Sequence, residues 1–203
     1  ELLVPDLFSL NNGINKPTVT SELIRRKMNS LYGSLQLNWD GYLFLDVTAR
    51  NDWSSTMSKD NRSYFYPSVS LSGVISDMLP KIGGNMPEWF TFAKVRASYA
   101  EVGNDLDPYQ LYNNYTVGKD ENGNTTAAPG QILFDSSVRS ELIKSWEAGF
   151  DVRFLQNRLG LDFAWYKTNA TRQLLNLPLD PFAGYSSRKV NAGNIQNLSL
   201  IHI

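Results

Sequence analysis

Ser145–Thr168 reads SWEAGFDVRFLQNRLGLDFAWYKT. Trp146, Ala148, Phe150, Val152 and Phe154 alternate with Glu147, Gly149, Asp151 and Arg153. After Gln156-Asn157-Arg158 the alternation resumes, with Leu159, Leu161, Phe163 and Trp165 set against Gly160, Asp162, Ala164 and Tyr166. Successive side chains of a strand point to opposite sides, so a period of two predicts two strands, each with one apolar and one polar side. So short a connection makes them an antiparallel hairpin.

Four more runs upstream share this period. Leu31, Leu35, Leu37 and Trp39 alternate with Tyr32, Ser34, Gln36 and Asn38. Past the turn dipeptide Asp40-Gly41, Leu43, Leu45, Val47 and Ala49 stand against Phe44, Asp46, Thr48 and Arg50. Phe65, Val69, Leu71 and Ile75 oppose Tyr66, Ser68, Ser70 and Ser72, with Pro67 near the start, where a missing N–H is tolerated. Ala93, Val95, Ala97 and Tyr99 oppose Lys94, Arg96, Ser98 and Ala100. Each run is about ten residues, long enough to cross a bilayer at a tilt and longer than ordinary globular strands.

The connections alternate in length. Asp40-Gly41 and Gln156–Arg158 are short, and Ser76–Trp89 is medium. Asn51–Ser63, Gly103–Ser140 and the stretch from Thr168 past Gly193 are longer and polar. Short turns at one end and long loops at the other mark an outer-membrane barrel. Trp39, Tyr42, Trp146, Trp165 and Tyr166 fall near strand ends, where an aromatic girdle meets the lipid headgroups. Asp46, Arg50, Arg96, Glu147, Asp151, Arg153 and Asp162 occupy the polar sides, as residues facing a watery lumen would. A secreted β-sandwich that binds glycans is the alternative, because its strands alternate in the same way with the apolar side turned inward. Six strands are too few to close a membrane barrel, so the expected architecture is all-β, an antiparallel segment of a larger barrel.

Composition narrows the function. The 203 residues carry a net charge of -1, which argues against nucleic-acid binding, since phosphate contacts need a basic stripe. Mean hydropathy is -0.32, and no apolar run reaches the length of a membrane helix, which leaves a β-barrel open. Cysteine is absent and the one histidine is His202, so thiolate chemistry and a histidine triad have no residues to use. No cofactor, metal or catalytic residue is expected. Asp120–Asn124 starts like a calcium loop, but Thr125 stands where that motif needs glycine and Gln131 where it needs glutamate. Asn61, Asn114, Asn124 and Asn169 begin glycosylation triplets and are read as polar loop residues. The long loop carries Tyr109, Tyr112, Tyr115 and Phe134, the candidate contacts for a ligand or a lipoprotein.

GYLFLDVTARNDWSSTMSKDNRSYFYPSVSLSGVIS (Gly41–Ser76), FAKVRASYAEVGNDLDPYQL (Phe92–Leu111), Ser145–Thr168 and NAGNIQN (Asn191–Asn197) resemble, in order and spacing, the SusC/RagA-type TonB-dependent outer-membrane transporters of Bacteroidota. LLVPDLFSLNN and KMNSLYGSLQLNWDGY resemble the segment just upstream. The resemblance implies a bacterial outer-membrane location and a 22-stranded barrel filled by an N-terminal plug. It also implies a SusD-like surface lipoprotein as lid, drive from the TonB–ExbB–ExbD complex through the plug, and an oligosaccharide or peptide cargo. In that family a Gly-x-Glu strand start follows NAGNIQN. Here LSLIHI (Leu198–Ile203) follows, which is the translation of a transposase sequencing adapter and is read as read-through. The expected organisation is a partial barrel domain over 1–197 without its plug, then the adapter over 198–203. A hydrophobic strand end is the other reading of LSLIHI.

Overall fold

The computed structural model describes residues 4–9, 12, 21 and 23–202. Leu2, Leu3, Leu10 and Asn11 of the opening stretch, Ile203 and the side chain of His202 lie outside the described residues.

Seven strands form one antiparallel wall: β1 (Met28–Trp39), β2 (Leu43–Ser54), β3 (Ser63–Val74), β4 (Phe90–Asn104), β8 (Glu141–Phe154), β9 (Leu159–Thr171) and β12 (Asn194–His202). They pair in the order β1-β2-β3-β4-β8-β9-β12. The six expected runs are all present, most of them longer than expected at the long-loop end, and β12 adds a seventh by pairing Asn194–His202 with β9.

Directly paired residues share a side, so the register sorts the whole wall. Leu37, Leu45, Leu71, Ala97, Ala148, Trp165 and Leu200 form one row across all seven strands. The next row, on the opposite side, is Gln36, Asp46, Ser70, Ser98, Glu147, Tyr166 and Ser199. A sandwich would cover the first row. Instead Leu35 is 54% exposed and Leu37 52%, and no second layer lies on the apolar side among the described residues. That removes the sandwich and leaves a membrane wall.

Three turns close one end. In the first, three residues join Trp39 to its partner Leu43, and Asp40 and Gly41 both take positive φ, the turn conformation that matches the twist of the strands. Tyr42 N–H donates to the Trp39 carbonyl at 3.2 Å and Gly41 N–H to Asn38 Oδ1 at 3.0 Å. The medium connection is not plain loop: Ile75–Lys81 is a short helix, α1, against β3 and β4, so Ile75 starts a helix where the sequence suggested a strand end.

The opposite end holds further strands that the period of two did not reveal. β5 (Tyr115–Lys119) and β6 (Thr125–Pro129) make a hairpin. β7 (Ile132–Leu133), β10 (Leu174–Pro178) and β11 (Ser187–Asn191) make a small sheet. The buried apolar cluster is here as well: Met57, Tyr64, Leu106, Leu111 and Val138, flanked by Tyr66 and Leu174.

Candidate functional site

All seven expected polar residues lie on one side of the wall. Lys94, Asp151 and Asp162 form a cross-strand row in which two carboxylates stand directly opposite each other. Opposed like charges repel. Arg96 reaches across from β4 to β9, placing Nη2 3.2 Å from Asp162 Oδ1, with Nε 3.6 Å from Glu147 Oε1. Arg153 Nη2 holds Asp151 Oδ2 at 3.2 Å. The crossing depends on Gly149, which pairs with Arg96: a Cβ there would stand 3.0 Å from Arg96 Nε and 2.7 Å from the Phe163 carbonyl oxygen. Nearer the long loops, Arg50 donates to Asp52 Oδ1 at 2.8 Å and to Ser30 Oγ at 3.1 Å. Asp46 lies between Gln36 and Ser70. Arg50, Asp52, Tyr64, Tyr66 and Ser68 line a cavity of about 500 Å³ on this side.

The aromatic set divides. Trp39 is on the apolar side at the short-turn end and is 69% exposed. Tyr42 is in the first turn, with Lys81 Nζ 5.2 Å from its ring centre. Trp146 is on the apolar side at the long-loop end, packed on Tyr99 at 4.3 Å between centroids. Trp165 shares that side. Tyr166 does not. It pairs with Glu147 on the polar side, because neighbours on one strand point opposite ways, so its expected place in the girdle is corrected. The sequence reading missed the cluster of Trp89, Phe90 and Phe154, with centroids 5.0–5.8 Å apart. A bulge between Phe90 and Phe92 turns Phe90 to the apolar side, which breaks the period that would have revealed it.

Along each strand the apolar side gives way to polar residues toward the long loops. The change comes at Asn29 on β1, Asn51 on β2, Ser63 on β3, Glu101 on β4, Lys144 on β8 and Lys167 on β9. These six positions fall in four cross-strand rows, Asn29 sharing one with Ser63 and Glu101 one with Lys144. A membrane surface crosses tilted strands in this stepwise way. Glu101 accepts hydrogen bonds from Tyr99 Oη and Lys144 Nζ just beyond the step.

Of the four loop aromatics, the structure brings two together. Tyr112 and Phe134 line a cavity of about 380 Å³ with Asp135 and Arg188. Asn113 grips the Phe134 backbone from both directions, at 2.7 and 3.1 Å. Arg188 Nη2 is 2.5 Å from Asp135 Oδ2, and Ser137 N–H donates to Asp135 Oδ1 at 2.9 Å. These donors hold the Asp135 carboxyl down to about 2, the Ser137 backbone contributing most. Tyr109 is elsewhere: its hydroxyl accepts from Arg25 N–H at 2.9 Å. Tyr115 is on the β5–β6 hairpin.

A hub at the loop base escaped the sequence reading. Asp105 accepts from Ser54 Oγ at 2.5 Å, Thr56 Oγ1 at 3.0 Å and Arg26 Nη2 at 2.6 Å. Its side chain is 5% exposed. It ties the β2–β3 loop to the start of the long loop. Small hydroxyls spaced this far along the chain give no periodic signal. Among the described residues, no group of three or more metal-ligating side chains gathers.

The TonB dependent receptor-like β-barrel family matches residues 5–198. TonB-dependent receptor P3 of Formosa agariphila is 28% identical over 93% of this chain. TonB-dependent receptor SusC of Bacteroides thetaiotaomicron is 24% identical over 89%. The chain spans about a fifth of the length of each, at 19% and 18%. The RagAB peptide importer in its closed-closed state superposes with a TM-score of 0.82 at 19% identity, covering 98% of this chain and 22% of that one. The siderophore receptor PirA of Pseudomonas aeruginosa gives a TM-score of 0.56 at 17% identity, over 87% of this chain and 30% of that one. The chain belongs to the TonB-dependent receptor β-barrel family of the bacterial outer membrane.

Proposed function

We propose that this wall is part of an importer that carries an oligosaccharide or a peptide across the outer membrane. A SusD-like lipoprotein covers the long-loop end, and TonB–ExbB–ExbD supplies the drive through a plug. The observation that carries the reading is the division of labour across one sheet: apolar rows on the lipid side that meet charge only at the long-loop step, and an inner side most of whose charges are bridged to one another. An inner surface of paired acids and bases stays hydrated without presenting a single strong charge to passing cargo. The carboxylates are structural here, since Arg96 and Arg153 engage Glu147, Asp151 and Asp162. The cavity between Tyr112, Phe134 and Arg188 is the candidate contact for cargo or lipoprotein, because aromatic faces and a guanidinium suit sugar rings and peptide carbonyls alike.

Deleting residues 112–130 from the full-length receptor tests the loop assignment. Co-purification of the lipoprotein or uptake of labelled cargo is expected to fall. Both unchanged, with the barrel still heat-modifiable on a gel, would sink it. Uptake that survives collapse of the inner-membrane proton gradient would remove the importer reading itself.

A further inference from the structure

A cavity of about 540 Å³ opens at the long-loop end of β1–β3, and the charged side chains lining it are Lys27, Lys59 and Arg62. Trp53 and Asn29 line it too. No acidic residue lines it among the described residues, and none of the three cations takes part in an ion pair there. Among the described residues elsewhere, Arg26, Arg50, Lys81, Arg96, Lys144, Arg153 and Arg188 each have a carboxylate within 4.0 Å and eight other cations do not. What sets this cavity apart is that three unbridged cations line it together with no carboxylate among them.

The register fixes which way the cavity faces. Asn29 pairs with Trp53, and Trp53 with Ser63, on the side that carries Leu31, Leu45 and Val69. Lys27 extends the ladder by one step, since its N–H donates to Ser55 Oγ and its carbonyl accepts from Ser55 N–H. The β2–β3 loop then brings Lys59 and Arg62 over the same place. The site therefore lies on the lipid side, just past the step where Asn51 and Ser63 replace apolar residues, and Asn51 and Ser63 bond each other there at 3.0 Å. That is the height of the outer-leaflet headgroups. A tryptophan with cations just above it is the usual chemistry of that layer. Cargo moving along the inner side does not meet these residues.

We propose that Lys27, Lys59 and Arg62 form a binding site for the phosphate-bearing headgroup of an outer-leaflet lipid, with Trp53 packed against the lipid's upper acyl or sugar portion. Charge-assisted bonds from two ammonium groups and a guanidinium hold the phosphate. The apolar row beneath accepts the chains.

The test uses the full-length receptor in mild detergent, with bound lipid read by native mass spectrometry. It is titrated with bis-phosphorylated lipid A, with the same lipid stripped of phosphate, and with inorganic phosphate. The phosphorylated lipid is expected to bind at least about tenfold more tightly than the stripped lipid. The triple variant Lys27→Gln, Lys59→Gln, Arg62→Gln is expected to lose that preference while its barrel remains heat-modifiable. Equal binding of the two lipids by the wild-type receptor overturns the proposal, and needs no variant to fold. So does an unchanged preference in the folded variant. Inorganic phosphate displacing the lipid at equal concentration would make this a free-anion site and overturn the lipid assignment. Lipoprotein pairing lost in the variant with lipid binding intact would assign the patch to a protein and overturn it as well.

Discussion

The two sides of the wall are built from the same strands and obey opposite rules. On the lipid side, Leu35, Val47 and Val69 stand in a row with no second layer packed on them among the described residues. On the inner side, Asp46, Glu147 and Asp162 are spread among Ser70, Ser98 and Arg96. In a soluble sheet the apolar side is the one that acquires neighbours. Here the packing is on the inner side at the long-loop end, where Asp52 and Ser54 are buried while Trp53 between them is exposed. Burial in this protein thus marks loop anchorage, and apolarity marks solvent, the solvent being lipid.

The contrast breaks most sharply under charge. Val47→Arg in the full-length receptor should cost about 2–4 kcal/mol, the scale for a cation near the bilayer midplane. Ser70→Arg, one step away on the other side, should stay within about 0.5 kcal/mol. Urea unfolding in lipid vesicles compares them, and equal costs would mean that the sides have been assigned wrongly.

Next in size is the hub. Asp105→Ala removes the acceptor for Ser54, Thr56 and Arg26, at an expected cost of about 2 kcal/mol confined to the long-loop end. Limited proteolysis on intact cells should then cut within 105–140, while the wall resists.

A smaller effect is expected at the β8–β9 turn. Leu155, Gln156 and Asn157 all have positive φ without being glycine. Gln156→Gly should stabilise by about 1 kcal/mol, read as a higher urea midpoint.

The smallest is local and depends on pH. Asp135 is held below the ordinary carboxylate range, so its contact with Arg188 is at full strength above about pH 4 and is lost as pH falls toward about 2. Hydrogen exchange at Phe134 and Ser137 should rise only at the bottom of that window. Asp135→Asn should show the raised exchange at every pH.

The wall was legible in the sequence because its two solvents impose a period of two over long runs. Where the period failed, so did the reading. The bulge before Phe92 hid Phe90, and the rule that places Trp165 outside excludes Tyr166 from the same side. The β5–β6 hairpin is short and exposed on both sides, so no burial forces alternation on it. Tyr109, Tyr112, Tyr115 and Phe134 could be chosen by residue type, yet only the folded loop brings Phe134 beside Tyr112, with Asn113 holding its backbone. Asp105, Lys27, Lys59 and Arg62 depend on contacts across loops, which single-chain periodicity does not encode.

The β4–β8 seam has a consequence for assembly. β1, β2 and β3 follow one another closely, and β8 and β9 are joined by one tight turn, so these pairs can form from near neighbours. β4 must wait for the whole of residues 105–140 before Glu141 can meet Asn104, although their register then runs to Phe90↔Phe154. Loop closure grows slowly with length, about 0.6 kcal/mol per doubling, so the long insertion taxes the order of events more than the final stability. Whatever machinery inserts the barrel would have to shelter the edge of β4, a strand with Val95 and Phe90 on one side, until the second block of strands emerges.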